Sequence, residues 1–565
     1  MPVKVSVVVP VYNPGRYIDD CIESILRQSL PDTEYEAIFV DDGSTDGTGV
    51  RLDELAAQHD NITSLHIPNS GWPGRPRNVG VDAAVGKYVY FVDNDDWLGD
   101  EALERLYECA EKNAADVVVG KEVGHGKGVP RHLFRRNIDD AVLGVAPLLD
   151  LLTPHKLFRR SFLDEHRIRF PEGRRRLEDH VFVMKAFFKA SRISILADYP
   201  CYHWLLRPDA SNATDRYADP RGYYENVREV LDIVDANTEP GPDRDRFYAH
   251  WYRSKGLHRL RGRTWATQPN AHALEVYAET RRLALERFGP GVARHLPCKF
   301  RVLSRSVLAD RLDLVRAQAQ IERGIRAEVS LSSLEWLDRR LRLSISVTMT
   351  YADGTPITLV RRDGRTYWYP PAPLAGDPAI LDEDLDVTDE LPRTTVAVVL
   401  RHRESRTEHD VVAPTSPRAQ GAGGEPTIST AVRAEVDLTR VASGKQLTTG
   451  VWDIFVHLHS CGWSSVQRLA GVGDEATEQH VVQPYLTQYG NLSLKVTEPA
   501  VAPTSSQPAP EPPATPAAKP APQAPEAPGT KPLGLAVTGW LLRVTPVRTR
   551  RIAKAVLLRV NGRRR

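Results

Sequence analysis

VSVVVPVYN (Val5–Asn13), VDDGSTDGT (Val40–Thr48) and FVDNDDW (Phe91–Trp97) decide the fold of this 565-residue chain. Each begins as an apolar, β-branched or aromatic run and breaks off into polar residues. Val3 to Val9 reads as a strand buried on both faces, and Glu36 to Val40 and Lys87 to Val92 as two more. Between the first two, Tyr17 to Gln28 carries Ile18, Cys21, Ile22, Ile25 and Leu26 at helical spacing. Strands alternating with helices imply an α/β unit around a mostly parallel sheet. Ligands of such sheets sit outside the carboxyl ends of the strands. The polar clusters here stand at those ends.

The chemistry of the clusters differs. Asp41 and Asp42 at a strand end can accept a hydrogen bond from a base or sugar. The Gly-Ser-Thr that follows is a turn into a helix, with Ser44, Thr45 or Asp46 as N-cap; a capped turn alone would use the same residues. Asp93 and Asp95 are spaced to reach one hard cation. Mg²⁺ and Mn²⁺ favour one or two protein carboxylates and leave the other positions to phosphate oxygens and water. That suits a nucleoside diphosphate, although a solvated acidic turn reads the same. NSGWPGRPRNVG (Asn69–Gly80) adds Arg75 and Arg77 to neutralise phosphate, glycines for close backbone approach, and a helix from near Asn78. In RRRLEDHVF (Arg174–Phe182), Glu178 and Asp179 open an apolar helical run. Carboxylates are favourable there in themselves, and one of them is equally a candidate general base.

Downstream the composition changes in steps. Residues 1–210 hold the motifs; 211–326 read as a helical connector, with Tyr223 to Val234 and Ala271 to Phe288 as examples. Residues 327–498 alternate in Leu341 to Thr350, Thr395 to Arg401 and Val451 to His457, which predicts one or two antiparallel β-sandwiches of immunoglobulin-like type. Residues 499–532 hold 12 prolines and read as a disordered linker. The 533–565 tail is basic, and Lys531 with nine arginines and lysines after it faces no Asp or Glu. A net charge of +1 for the whole chain is therefore a cancellation between an acidic body and a basic end. In Arg543 to Val560 apolar residues recur at roughly helical spacing, which predicts an amphipathic anchor to anionic lipid; a plain basic tail is the other reading, since Pro546 interrupts the helix.

As an ordered set the motifs resemble the family-two glycosyltransferases of the GT-A fold. NSGWPGRPRN, Gly128–Val129–Pro130, TPHKLFRR (Thr153–Arg160) and LEDHVFVMKAF are most similar to the wall-teichoic-acid branch. Its members add β-linked N-acetylglucosamine to poly(ribitol phosphate). The resemblance implies a Rossmann-like nucleotide-diphospho-sugar domain, a helical linker and C-terminal immunoglobulin-like modules, associated with trimers in some members. It implies that Pro10, Tyr12 and Asp42, with Asp41 beside them, hold the uracil of a UDP-sugar. Asn69 and Arg77 contact the nucleotide or its phosphates, and Asp93 faces the ribose and donor sugar. Asp95 binds Mn²⁺ or Mg²⁺, while Arg207 and Ser211 close over the diphosphate. Asp179 is the catalytic base, with Glu178 next to the donor sugar or acceptor. Trp72 stands where near relatives in that branch carry a small residue, which leaves the sugar and acceptor open. The implied reaction is inverting transfer from a UDP-sugar to a hydroxyl of a cell-wall glycopolymer.

Two alternatives stay beside it: a transferase for capsule or exopolysaccharide using another UDP-hexose, and a silent glycan-binding scaffold. There is no run of about 20 apolar residues, so no transmembrane helix is expected. The N-terminus does not read as a signal peptide, and five scattered cysteines support neither a disulfide framework nor a zinc site. A cytoplasmic protein, peripheral on the inner face of the membrane and binding no nucleic acid, is the expectation.

Overall fold

β1 (Val5–Val11) is buried along its whole length because both faces of the sheet around it are covered. Val5, Val7, Val9 and Val11 pack with Ile18, Cys21, Ile22 and Ile25 of helix α1 (Ile18–Leu26). Val8 points the other way, into a second core with Ile38, Val40 and Phe91. This is the two-residue period of a strand between two layers. A computed structural model describes residues 2–126, 128–207, 219–411, 426–442, 444–471 and 482–497. Ser211, the 499–532 linker and the 533–565 tail fall outside the described residues.

The sheet continues through β2 (Tyr35–Asp41), β3 (Ile62–His66), β4 (Tyr88–Phe91), β5 (Trp97–Leu98), β6 (Val117–His125), β7 (Leu157–Arg159) and β8 (Ile193–Leu205). Its order is β3-β2-β1-β4-β7-β6-β8-β5. β1 to β4 are parallel, as the alternation predicts. β7 then runs antiparallel to both β4 and β6, so this half of the sheet is mixed. Register aligns the strand ends: Val11 lies opposite Asp41, and Val8 opposite Phe91. The residues that follow, Tyr12, Asp42 and Asp93, therefore emerge at one edge.

Helices α2 (Thr48–Gln58), α3 (Gly74–Ala83), α4 (Ala102–Asn113), α5 (Arg160–Glu165) and α6 (Glu178–Lys189) complete the unit. α3 begins at Gly74, earlier than the expected start near Asn78. Pro76 falls in the first turn, where a missing N–H costs nothing. The start of α6 is anchored by Phe182, whose ring lies 3.9 Å from Phe170, 5.2 Å from Phe158 and 5.5 Å from Phe91. Truncating such a side chain typically costs about 3–5 kcal/mol.

The connector holds α7 (Pro220–Asn237), α8 (Pro242–Trp251), α9 (Arg263–Ala266), α10 (Ala271–Arg287), α11 (Pro290–Ala293), α12 (Cys298–Leu308) and α13 (Leu312–Glu322). Tyr224, Val227 and Leu231 of α7 share one core with Val183 and Phe187 of α6, so the connector is built onto the catalytic unit. Beyond it come β9 (Arg326–Leu337), β10 (Arg340–Thr350), β11 (Leu359–Arg362), β12 (Arg365–Trp368), β13 (Thr395–His402), β14 (Glu408–Val411), β15 (Ser429–Asp437), β16 (Gly450–Ser460), β17 (Trp463–Arg468), β18 (Val482–Leu486) and β19 (Leu492–Val496). They form a three-stranded sheet, β15-β10-β9, a short β11-β12 pair, and a six-stranded sheet, β14-β13-β16-β19-β18 with β17 on β16. The two larger sheets share a single core, which takes in Cys298 and Val302 of α12 and Leu314 of α13. Among the described residues no helix is long and apolar enough to cross a membrane.

Candidate active site

The corner after β2 is shaped by peptide, hydroxyl and imidazole hydrogen-bond donors. Asp42 is buried and accepts from the Ser70 backbone N–H at 2.7 Å and the Ser70 hydroxyl at 2.9 Å. Burial pushes its carboxyl up, opposed by those two bonds. Asp41, also buried, accepts from the Ser44 N–H at 3.0 Å and meets His66 Nδ1 at 3.1 Å. The other face of that imidazole, Nε2, lies 2.8 Å from Asp53 Oδ1, and the Asp53 and Asp41 carboxylates together raise the His66 pKa. Gly49 permits this packing: a Cβ there would stand 3.0 Å from Asp41 Oδ2 and 3.3 Å from the His66 ring. Gly43, at φ +72°, serves likewise, since a Cβ on it would come within 2.9 Å of the Asn69 backbone nitrogen. Asp46 accepts from the Thr48 N–H at 3.1 Å in a local turn, but the N-cap of α2 is Gly47, at φ 88°, and not Ser44, Thr45 or Asp46 as expected. Tyr12 is 47% exposed and Asn69 is exposed, which leaves both available to a planar ligand. The Pro10 carbonyl instead accepts from the Asn94 amide at 3.0 Å, tying this corner to the next.

After β4 the partners are charged. Arg77, 4% exposed in the first turn of α3, donates to Asp93 Oδ1 at 2.7 Å, and its other terminal nitrogen lies 3.6 Å from Glu178 Oε1. Asp93 Oδ2 is 3.2 Å from His155 Nε2. Burial disfavours the Asp93 charge, but Arg77 and His155 outweigh it and hold the carboxyl well below the usual range. The tautomer of His155 follows from its other side. The Trp204 indole N–H, which can only donate, reaches His155 Nδ1 at 2.8 Å, so Nε2 carries the proton towards Asp93. His155 also stacks on Tyr202, with centroids 4.0 Å apart. The Tyr202 hydroxyl donates to Asp96 Oδ2 at 2.6 Å and accepts from the Asp93 N–H at 3.1 Å.

Asp95 faces Arg207, whose Nε donates to Oδ2 at 2.6 Å, while NH2 reaches Asn94 Oδ1 at 3.2 Å. Burial raises the Asp95 pKa, Arg207 opposes it and Asp93 adds to it. Among the described residues one cluster of possible ligand atoms is present, and Asp95 stands beside it as a second candidate. Asp93, Asp96 and His155 bring ligand atoms within 4.8 Å of one another. They are poorly suited: His155 presents a proton, and both Asp96 oxygens accept hydrogen bonds, from Tyr202 and from the Leu205 N–H at 2.8 Å. Asp95 fits better, with Asp93 two residues away, because carboxylate oxygens match a hard cation. Its present partner is itself a cation, which marks the position as one that wants positive charge.

Glu178 and Asp179 open α6 directly after Leu177, whose left-handed φ of 62° aims the first turn. Burial, then the charge of Asp179, pushes the Glu178 carboxyl up, while Arg77 and the neighbouring Trp72 oppose this. Asp179 is raised by burial as well, with Lys255 the leading opposing charge; its Oδ1 accepts from the His180 N–H at 2.8 Å. Lys255 comes from a π-helical turn, Tyr252–Gly256, in the connector. Such turns are frequent at functional sites.

Pro10, Tyr12, Asp41, Asp42 and Asn69 thus meet at one corner and Arg77, Asp93, Asp95, Arg207, Glu178 and Asp179 at the next; Ser211 is outside the described residues. His155 and Lys255 were not singled out from the sequence. His155 lies inside the TPHKLFRR segment, which carried the only available signal.

Three family descriptions match the chain in order: glycosyl transferase family 2 over residues 6–198, the glycosyl transferase TarS linker domain over 220–319, and the TarS beta-glycosyltransferase C-terminal domain 1 over 386–496. A poly(ribitol-phosphate) beta-glucosyltransferase of Bacillus spizizenii is 37% identical over 236 residues, which is 41% of this chain and 37% of that protein. The match thus spans well under half of that relative's length. Poly(ribitol-phosphate) beta-N-acetylglucosaminyltransferase TarP of Staphylococcus aureus is 33% identical over 236 residues, 41% of this chain and 72% of that one. The crystal structure of S. aureus TarS 1-349 in complex with UDP-GlcNAc superposes with a TM-score of 0.51 at 26% identity, covering 63% of this chain and 98% of that one. The longer TarS structure, at 21% identity and the same TM-score, covers 87% of this chain and 85% of its own, and speaks for the fold alone. With the motifs, the strand order and these matches together, the chain belongs to the family-two glycosyltransferases and carries their GT-A fold.

Proposed function

We propose that this protein transfers a sugar, N-acetylglucosamine in the first reading, from its UDP derivative to a hydroxyl of a poly(polyol phosphate) cell-wall polymer, with inversion at the anomeric carbon. The observation that carries it is the line of groups from Asp95–Arg207 through Asp93–Arg77 to Glu178 and Asp179, beside a corner able to take a planar base. Asp42, Tyr12 and Asn69 receive the uracil. Arg77 orients Asp93 and Glu178, and Arg207 turns from Asp95 to the diphosphate. A Mg²⁺ or Mn²⁺ held at Asp95 would supply positive charge to the departing diphosphate. Asp179, kept basic by burial, takes the proton of the acceptor hydroxyl. That oxygen bonds to the anomeric carbon from the face opposite the phosphate as the carbon–oxygen bond to UDP breaks. Lys255 and Arg176 beside Asp179 and Trp72 suit an acceptor that carries phosphate.

A second reading, glucosyl transfer, is favoured by the Bacillus relative and by Trp72. Its indole lies against Glu178, where extra bulk narrows the space for an N-acetyl group. Turnover with UDP-GlcNAc, UDP-Glc, UDP-Gal and UDP-GalNAc in Mn²⁺ separates the two readings, and a GDP- or dTDP-sugar winning would refute the uracil assignment. The 533–565 tail is assigned to anionic lipid on the cytoplasmic face; full-length chain and a truncation at Thr530 binding equally to anionic vesicles would refute that. Sedimentation equilibrium tests the trimer that the family resemblance implies.

A further inference from the structure

β6 and β8 run side by side to the catalytic edge, where the Leu206 N–H donates to the His125 carbonyl at 3.0 Å. From this corner the chain leaves in two directions. On β8 the next residue is Arg207, the partner of Asp95. After β6, Gly126, residues 128–132 and Arg135 form one wall of a cavity of about 880 Å³. The opposite wall belongs to the β module, from β13, β14 and the turn between them, with His457 of β16 and Val466 of β17. The cavity thus starts at the same sheet corner as the diphosphate site and leads away from it between two parts of the molecule.

Its chemistry is cationic. Arg131, Arg135, Arg401 and Arg406 line it, against Glu408 and Asp410. Glu408 pairs with both Arg131 and Arg401, and Asp410 Oδ1 lies 3.1 Å from Arg131. The Arg131 pairs bind the catalytic unit to the β module, while Arg401–Glu408 lies within the module; together they neutralise the floor. Arg135 and Arg406 stand exposed at the rim, one on each wall. Lys121 of β6 adds charge close enough to act on Asp410. The lining arginines outnumber the carboxylates two to one, in a chain whose body is acidic overall.

We infer that this cleft is a distal subsite for the acceptor, gripping phosphodiester groups several repeats away from the hydroxyl that reacts at Asp179. The inference rests on the function proposed above. Guanidinium groups spread along a groove match a ligand with regularly spaced phosphates. They offer nothing specific to a single sugar or to a nucleotide already held at the other corner. The subsite would make the β module a working part of the enzyme and give long acceptors an advantage over short ones.

The test uses the full chain and its Arg135→Glu/Arg406→Glu double variant, with UDP-sugar in excess. The acceptors are a single polyol phosphate and a polymer of roughly ten or more repeats. Rim charges act at long range, so KM for the polymer should rise on the order of tenfold, more at low salt than at high. KM for the single unit and Kd for UDP should stay at their original values, which also reports an intact fold. An unchanged long-to-short preference, with the unmodified protein active, overturns the subsite alone. No transfer to either acceptor by the unmodified protein overturns the functional reading and the subsite with it. RNA of equal charge raising the unmodified protein's KM for the polymer at concentrations comparable to that KM, with KM for the single unit unchanged, overturns the assignment to a polyol phosphate.

Discussion

After β2 and again after β4 the chain turns on consecutive or alternating aspartates, and the two corners handle them in opposite ways. Asp41 and Asp42 are satisfied by peptide N–H groups, a serine hydroxyl and a histidine. Asp93 and Asp95 are matched by the guanidinium groups of Arg77 and Arg207. Asp42, held by the neutral donors of Ser70, keeps its geometry whatever binds, as recognition of a planar base requires. A carboxylate held by a cation can exchange that cation for another when a charged ligand arrives. The same residue type is a fixed shape at one corner and an exchangeable charge at the other.

The contrast can be broken by substitution. The largest effect lies at Asp179, beside the charged corner: Asp179→Asn should lower kcat by about 10³-fold, within the range for a lost general base, and leave UDP affinity unchanged. Calorimetric UDP binding beside single-turnover assays checks it, and near-normal transfer would remove Asp179 from the mechanism. Next comes the charged corner. Asp95→Asn should cost on the order of 10² in kcat and make the residual rate insensitive to chelators, whereas the unmodified enzyme should lose activity in EDTA. The corner after β2 should respond in binding instead: Asp42→Ala should raise the donor Kd roughly tenfold with kcat nearly intact. If both corners changed kcat alone, the distinction would fail.

Two smaller effects depend on pH. Burial raises Asp179, so the acidic limb of kcat/KM should lie above the ordinary carboxylate pKa of about 4, with rate lost as pH falls through it. His66 acts in the reverse sense. Its pKa is raised by Asp53 and Asp41, so the doubly donating imidazolium is complete at low pH and lost as pH rises through that raised value. UDP affinity should therefore weaken a few-fold across that interval, and His66→Gln should flatten the profile. A profile identical to the unmodified enzyme's would make His66 a surface residue only.

Much of this was legible because it is local. An apolar run ending in DDGST or DNDDW needs only period-2 burial and turn chemistry to be read, although the N-cap of α2 fell to Gly47, whose left-handed φ of 88° the polar residues before it do not supply. α3 began four residues early because Pro76 fits a first turn as well as a loop. His155 was less readable. Its role comes from Trp204 and Tyr202, 49 and 47 positions away, through β7 inserted antiparallel beside β4. Lys255 is further still from Asp179 and reaches it only because connector and catalytic unit share a core.

By itself the sequence determined the parallel half of the sheet, the two acidic corners and the paired carboxylates that open α6. Those features depend on backbone preference and burial within a few residues of each other. Only the tertiary structure decided which cation faces which carboxylate, which nitrogen of His155 holds the proton, and that a charged cleft joins the catalytic edge to the β module. Hydrogen bonds and ion pairs act over about 3–4 Å in space, and separation along the chain places no limit on them.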